Sequence, residues 1–379
     1  MQERLNDINL VIENHPKFGS HYCRSSSSKR QELENLILKI YNASNEKVHV
    51  QIMPSGMAAI SCVMETFLKR SKSDPVFIMS NELYCDTPKA INYLHKFHEN
   101  MIIEFVDIRK IASVVDIVEK YKENEILLYF ESCSNPSGQV PNYDVIKELK
   151  NTNPNLTICV DNTWLTGHSF NPLSRDADIV IESMTKYISA GKCIGGFIMG
   201  NNDFMYDVRE WIRIFGQYVG KDHCQIFIDG INTMKQRIIE SSNITLDVAK
   251  YLESNDKVKR VMYPFLDSHP TYKEAVKYLL IPPSCIWFNI KHENKKNSVK
   301  YKILKNNNFI KCETSFGSSY AKIDPWPIFG SPNIYDDHCL AEQDNCQKNN
   351  NHIWIRLSVG YNSKTDDLIE RLEHLIDIL

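Results

Sequence analysis

No apolar run in this chain reaches the roughly 20 residues that a membrane-spanning helix needs, so the membrane is not an expected partner. No two of the 11 cysteines are spaced C-x-x-C, and no Cys/His spacing suits zinc. Cys62, Cys159 and Cys285 lie in apolar surroundings, which predicts free buried thiols in a reducing cytoplasm, and no metal. There is no basic stripe and the formal net charge is −3, so nucleic acid is not an expected partner either. Met1 to Asn14 is polar and acidic and does not read as a signal peptide. Internal repeats and low-complexity tails are absent. What is present is ordinary globular composition, 42% hydrophobic and 24% charged. The 379 residues are enough for one large domain or two smaller ones.

Hydrophobic patterning alternates strand with helix. Strands are predicted at 48–53, 76–79, 102–106, 126–130, 156–160, 179–181 and 196–199. Helices are predicted at 31–42, 57–69, 87–95, 108–120, 143–150 and 204–215. This alternation predicts a mostly parallel sheet covered on both faces, and sites in such sheets lie at the carboxyl ends of strands. A long helix near 227–252 is expected to lead into a second domain with strands at 258–263, 284–290 and 353–358 and a closing helix at 366–378. The Asp-, Asn- and Gln-rich stretch 336–351 is expected to be an exposed loop.

The apolar run 177–182 leads into Ser183-Met184-Thr185-Lys186, with Gly191, Gly195 and Gly196 beyond. An amine at a strand end can form a Schiff base with an aldehyde, and adjacent hydroxyls and backbone N–H groups can hold a phosphate. Alone, a lysine after an apolar strand is more often a solvated strand end. Asp161, in Cys159-Val160-Asp161-Asn162-Thr163, is a second polar residue at a strand end. An acid for a pyridine nitrogen and a lysine for an aldehyde are the two groups that pyridoxal 5'-phosphate (PLP) chemistry demands. Ser55-Gly56, between a strand and a helix N-terminus, is an anion site by the same geometry.

Taken together, several stretches resemble the PLP enzymes of cysteine and methionine metabolism, which include cystathionine γ-lyase, cystathionine γ-synthase and methionine γ-lyase. They are Tyr22-x-Arg24, Ser55-Gly56-Met57-Ala58-Ala59, Leu83-Tyr84, Glu131-Ser132-Cys133-Ser134-Asn135-Pro136, Asp161-Asn162-Thr163, Ser183-x-Thr185-Lys186-Tyr187, Ser268-His269-Pro270 and Arg356-Leu357-Ser358-Val359-Gly360. The resemblance implies an α/β, aspartate aminotransferase-like PLP-dependent transferase fold. It implies an N-terminal arm over 1–30, a large PLP-binding domain with a mostly parallel sheet over 31–231, and a smaller C-terminal α+β domain over 232–379.

The resemblance also implies roles. Lys186 would hold the cofactor aldehyde and move the substrate's α-proton; Asp161, with Thr163 beside it, would face the ring nitrogen. Tyr84 would stack on the ring with its phenol near the substrate, as a second catalytic residue, and Asn135 would bond the ring's phenolic oxygen and border the substrate. Ser55, Gly56, Met57, Ser183 and Thr185 would hold the phosphate. Arg356 would take the substrate's α-carboxylate, with Ser315 near it; a structural salt bridge is the other reading of Arg356. Tyr22 and Arg24 would reach the phosphate of a neighbouring subunit, in a homodimer or homotetramer with shared active sites. The implied activity is trans-sulfuration-type γ-elimination or γ-replacement on a homoserine- or cystathionine-like amino acid. β-Elimination, as in cystathionine β-lyase, and specialised amino-acid γ-substitution are the alternatives. The chain departs from the family where Cys85-Asp86-Thr87 follows Tyr84, in the loop Ser189 to Cys193, and at Ser315-Phe316-Gly317-Ser318. Asp86 would then face the distal part of the substrate; capping the helix at Thr87, or pointing to solvent, is its other reading.

Overall fold

The computed structural model describes residues 27–43, 47–290, 297–326 and 354–379. Seven strands form the larger sheet: β1 (Val48–Met53), β2 (Val76–Ser80), β3 (Ile102–Val106), β4 (Ile126–Glu131), β5 (Leu156–Asp161), β6 (Ile179–Glu182) and β7 (Gly196–Asn201). Their order is β1-β7-β6-β5-β4-β2-β3. Neighbours from β6 to β3 run parallel, and β7 runs antiparallel to both β1 and β6. β2, β4 and β6 are buried along their whole length, because helices cover both faces. One apolar core packs Val50, Ile78, Leu128, Val160 and Val180 under the helices of one face, and a second packs Met53, Phe77, Tyr129, Cys159 and Ile181 under the other.

The register decides where chemistry can occur. Glu131 pairs with Asp161, Asp161 with Ile181, Glu182 with Phe197, and Gly196 with Met53. The carboxyl ends of β4, β5, β6 and β1 therefore share one edge of the sheet, and the turns that leave them converge there.

The smaller sheet is β10-β11-β12-β9-β8, made of β8 (Val258–Met262), β9 (Cys285–Ile290), β10 (Lys311–Cys312), β11 (Lys322–Trp326) and β12 (Trp354–Ser358). Its core joins Ile286, Phe288, Ile355 and Leu357 to Leu372 and Leu375 of the helix Thr365–Ile378. A single 34-residue helix, Lys221–Ser254, connects the two sheets. Phe227, Ile231 and Met234 on it belong to the larger core, and Val248, Ala249 and Leu252 to the smaller one. We place the change of domain within this helix.

The structure differs from the reading of the sequence in several places. β10, β11 and the helices Tyr272–Tyr278 and Asn297–Asn306 were not expected. Ser28 to Arg30, expected in the arm, form the first turn of the helix Ser28–Ile40, whose N-cap Ser27 accepts from Arg30 N at 3.4 Å. The expected loop at 336–351 lies outside the described residues, as do Tyr22 and Arg24. Among the described residues no helix is long and apolar enough to cross a membrane.

Candidate active site

Lys186 leaves the turn after β6, partly buried, and its Nζ donates to Ser315 Oγ at 2.9 Å. Burial, reinforced by the charges of Arg356 and Lys322, lowers its amine to about 8. Asp161 ends β5, 6% exposed. Its carboxylate accepts from Thr163 N at 2.9 Å and, more loosely, from the Tyr129 hydroxyl at 3.4 Å. Burial raises its carboxyl above the ordinary range, while those bonds and Lys186 pull it back. Thr163 fastens two strand ends together, because its Oγ1 accepts from Ser183 N at 2.8 Å.

The Ser55-Gly56 turn begins the helix Gly56–Arg70, and Ser55 Oγ caps it by accepting from Ala58 N at 3.0 Å. A Cβ placed on Gly56 would stand 2.9 Å from Ser183 Cβ and 3.2 Å from its Oγ. Glycine is thus required for the helix N-terminus to sit against Ser183, where orphan N–H groups and a hydroxyl form a cradle for an anion. Met57, partly buried, packs on the core beneath it. Thr185 Oγ1 accepts from Gly195 N at 3.1 Å and donates to Gly195 O at 3.3 Å, closing its own loop.

The smaller sheet supplies the opposite wall. Ser315 has φ +77, a left-handed conformation that costs a serine on the order of 1–3 kcal/mol. Two residues on, Gly317 presses against the backbone of Lys186, where a Cβ would lie 2.9 Å from its carbonyl carbon. Arg356, from β12, is 5% exposed. One terminal nitrogen donates to Asn135 Oδ1 and the other to Asp324 Oδ2, each at 2.9 Å, while Nε is buried without a partner. Both readings of Arg356 thus touch the structure: a buried ion pair is present, and a donor is left over.

Glu131, at the end of β4, sets the remaining two groups. Its carboxylate accepts from the backbone N–H of Tyr84 and, at 3.0 Å, from that of Asn135. Tyr84 stands at the rim, 37% exposed. Burial, with Cys85 and Asp86 beside it, pushes its phenol up to about 12, so it stays protonated. Asp86 holds the N-cap position of the helix Thr87–His95, but its side chain makes no cap bond; it pairs instead with Lys89 Nζ at 2.8 Å.

The Cys/Met metabolism PLP-dependent enzyme family matches residues 4–376, nearly the whole chain. The chain belongs to that family. It is 30% identical to the L-methionine γ-lyase of Fusobacterium nucleatum subsp. polymorphum over 72% of this chain and 67% of that one. It is 28% identical to a cystathionine β-lyase of Lactococcus lactis subsp. cremoris over 72% and 69%. Among solved structures, a cystathionine γ-synthase from Xanthomonas oryzae pv. oryzae superposes with a TM-score of 0.80, at 19% identity over 94% of this chain and 87% of that one. Family membership makes the chain a PLP-dependent enzyme of trans-sulfuration type.

The residues present fit PLP. A buried acid, a buried amine with lowered basicity and an anion cradle at a helix N-terminus lie along one sheet edge, matching a ring nitrogen, an aldehyde and a phosphate. Reading the sequence missed Asp324, Glu131 as the clamp on Tyr84 and Asn135, and Trp164, whose ring lies 5.9 Å from the Arg356 guanidinium. Glu131 carried a signal, being the first residue of the Glu-Ser-x-x-Asn-Pro stretch; Asp324 carried none.

Proposed function

We propose that this enzyme eliminates or replaces the γ-substituent of a homoserine- or cystathionine-like amino acid, with Lys186 as its proton carrier. PLP, when bound, supplies an aldehyde for the substrate amine and an electron-withdrawing ring that acidifies the adjacent carbon. The observation that carries the reading is the placement of Lys186: its amine, from the turn after β6, stands 2.9 Å from Ser315 Oγ, where burial makes it less basic than an ordinary lysine. A neutral amine can act as a base, and its long stem can serve both the α- and the β-carbon. Ser315, 2.9 Å away, holds the amine on the substrate side.

The other residues bind and orient. Asp161 places a buried negative charge for the ring nitrogen, and Thr163 holds that carboxylate to the strand end that carries Ser183 and Lys186. Gly56, Ser183 and Thr185 would hold the phosphate, with Ser55 capping the helix beside it and Met57 supplying a backbone N–H. Arg356 takes the α-carboxylate through its unpartnered edge. Tyr84, protonated, would stack on the ring, and Asn135, which accepts from Arg356, would bond its phenolic oxygen.

Departure from the β-carbon needs only the first proton transfer, and the likeness to a cystathionine β-lyase supports that second reading. Product analysis separates the two. Cystathionine should give cysteine, 2-oxobutanoate and ammonia by γ-elimination; homocysteine, pyruvate and ammonia by β-elimination would replace this proposal with the other. In either case Lys186→Ala should abolish turnover while the protein still binds PLP non-covalently. Turnover at the wild-type rate in that variant would remove the proposal.

A further inference from the structure

Arg356 is not the protein's only buried arginine. Arg237, on the long helix and 8% exposed, donates to the carbonyl oxygens of Tyr187 at 2.7 Å, Ile188 at 3.0 Å and Gly230 at 2.8 Å. Neutral acceptors are therefore enough to keep a buried guanidinium in this fold, without a carboxylate partner among the described residues. Arg356 has a neutral acceptor too, Asn135, yet it also has Asp324. Asp324 and Arg356 face each other in the register of β11 and β12, and their side chains are 8% and 6% exposed. The anion is thus built into the sheet against the guanidinium whose Nε is buried without a partner.

We infer that Asp324 is a positioning residue that acts through Arg356: its charge, fixed against the guanidinium, weakens the hold on the substrate's α-carboxylate and so sets how tightly substrate and product acids are retained. This rests on the proposed assignment of Arg356 to that carboxylate. A carboxylate on the Nε edge would lie one guanidinium away from Asp324, so the two anions repel across a cation they share. Every amino acid and every 2-oxo acid product presents a carboxylate. A bare arginine would retain them all with a charge-assisted, bidentate grip. Weakening that common handle leaves the ratio between substrates to the distal contacts, as before, and lets the product acid leave.

The test uses the holoenzyme and two ligands with no departing group, L-norleucine and L-norleucinamide, titrated by the absorbance change of the bound cofactor. Asp324→Asn keeps an acceptor for Arg356 and removes the charge. It should bind L-norleucine about tenfold more tightly, the scale of a screened like-charge contact, and leave L-norleucinamide unchanged. Weaker or unaltered binding of the acid, or equal shifts for acid and amide, would overturn the inference. Asp324→Glu should keep the wild-type ratio of the two affinities, and a ratio shifted as in the asparagine variant would also overturn it. If Asp324→Asn does not fold, Asp324→Ser gives the same readout. Arg356→Met tests the underlying assignment: it should abolish the preference for acid over amide, and a preserved preference would refute that assignment whatever Asp324 does.

Discussion

Replacing Gly56 by alanine probes the anion cradle with a single methyl group. The new Cβ would stand 2.9 Å from Ser183 Cβ, whereas carbon atoms settle at about 3.5–4.0 Å, so the turn and the strand end must part by about half an ångström or more. Two effects oppose each other in stability. Alanine exceeds glycine in helix propensity by about 1 kcal/mol in a helix interior, and by less at this first position. Forced contact in a packed region costs about 1–3 kcal/mol. The net loss in unfolding free energy should therefore stay below about 3 kcal/mol, and the variant should fold. Phosphate binding has no offsetting gain, since the methyl fills the space between the helix N-terminus and the Ser183 hydroxyl. Losing one charge-assisted bond there costs about 1.5–3 kcal/mol, a rise of tenfold or more in the Kd for PLP. Titration of apoenzyme with PLP, beside a thermal melt, measures both quantities. In a Ser183→Gly background the contact disappears, so Gly56→Ala should there cost clearly less affinity. Wild-type affinity in Gly56→Ala, or an equal penalty in both backgrounds, would refute the cradle.

We propose that active sites are shared between subunits, with Tyr22 and Arg24 reaching a neighbour's phosphate. Arg24→Ala should raise the Kd for PLP about tenfold or more, and mixing it with Lys186→Ala protein should restore part of the activity, since one hybrid site is intact. Hybrids that form without recovery would return the arm to its own subunit. At the rim, Asp86→Gly should raise kcat/KM for O-succinylhomoserine relative to O-acetylhomoserine by about two- to fivefold, because Lys89 is released toward the succinyl carboxylate. The pair is about two-fifths exposed, which limits the gain to that of an exposed ion pair. An unchanged ratio would place the pair outside the substrate's reach.

Lys186, Asp161 and Gly56 were legible in the sequence because each follows a run of buried strand residues, and strand ends in such sheets are where turns converge. Asp324 was not. Lys322-Ile323-Asp324-Pro325-Trp326 carries two charges and a proline, a poor strand by local preference, and it is a strand because β12 pairs with it along its length. The clamp at Glu131 depends on β2 lying beside β4, a non-local pairing that brings the Tyr84 turn to the Asn135 turn. The left-handed backbone of Ser315 is likewise imposed from outside, since nothing in serine favours it. Of the readings of Asp86, the cap bond is not made: the residue holds the N-cap position, and its carboxylate pairs with Lys89 one turn on.

Among the described residues, the donors that suit the cofactor come from the larger domain, while Ser315, Asp324 and Arg356 come from the smaller one, pressed on through Gly317. Colour and turnover therefore report on different halves of the molecule. Mild denaturant that loosens only the smaller half should leave the protein yellow and inactive, so absorbance at the cofactor band overstates the competent fraction. The distance between the two denaturation curves measures how strongly one half holds the other.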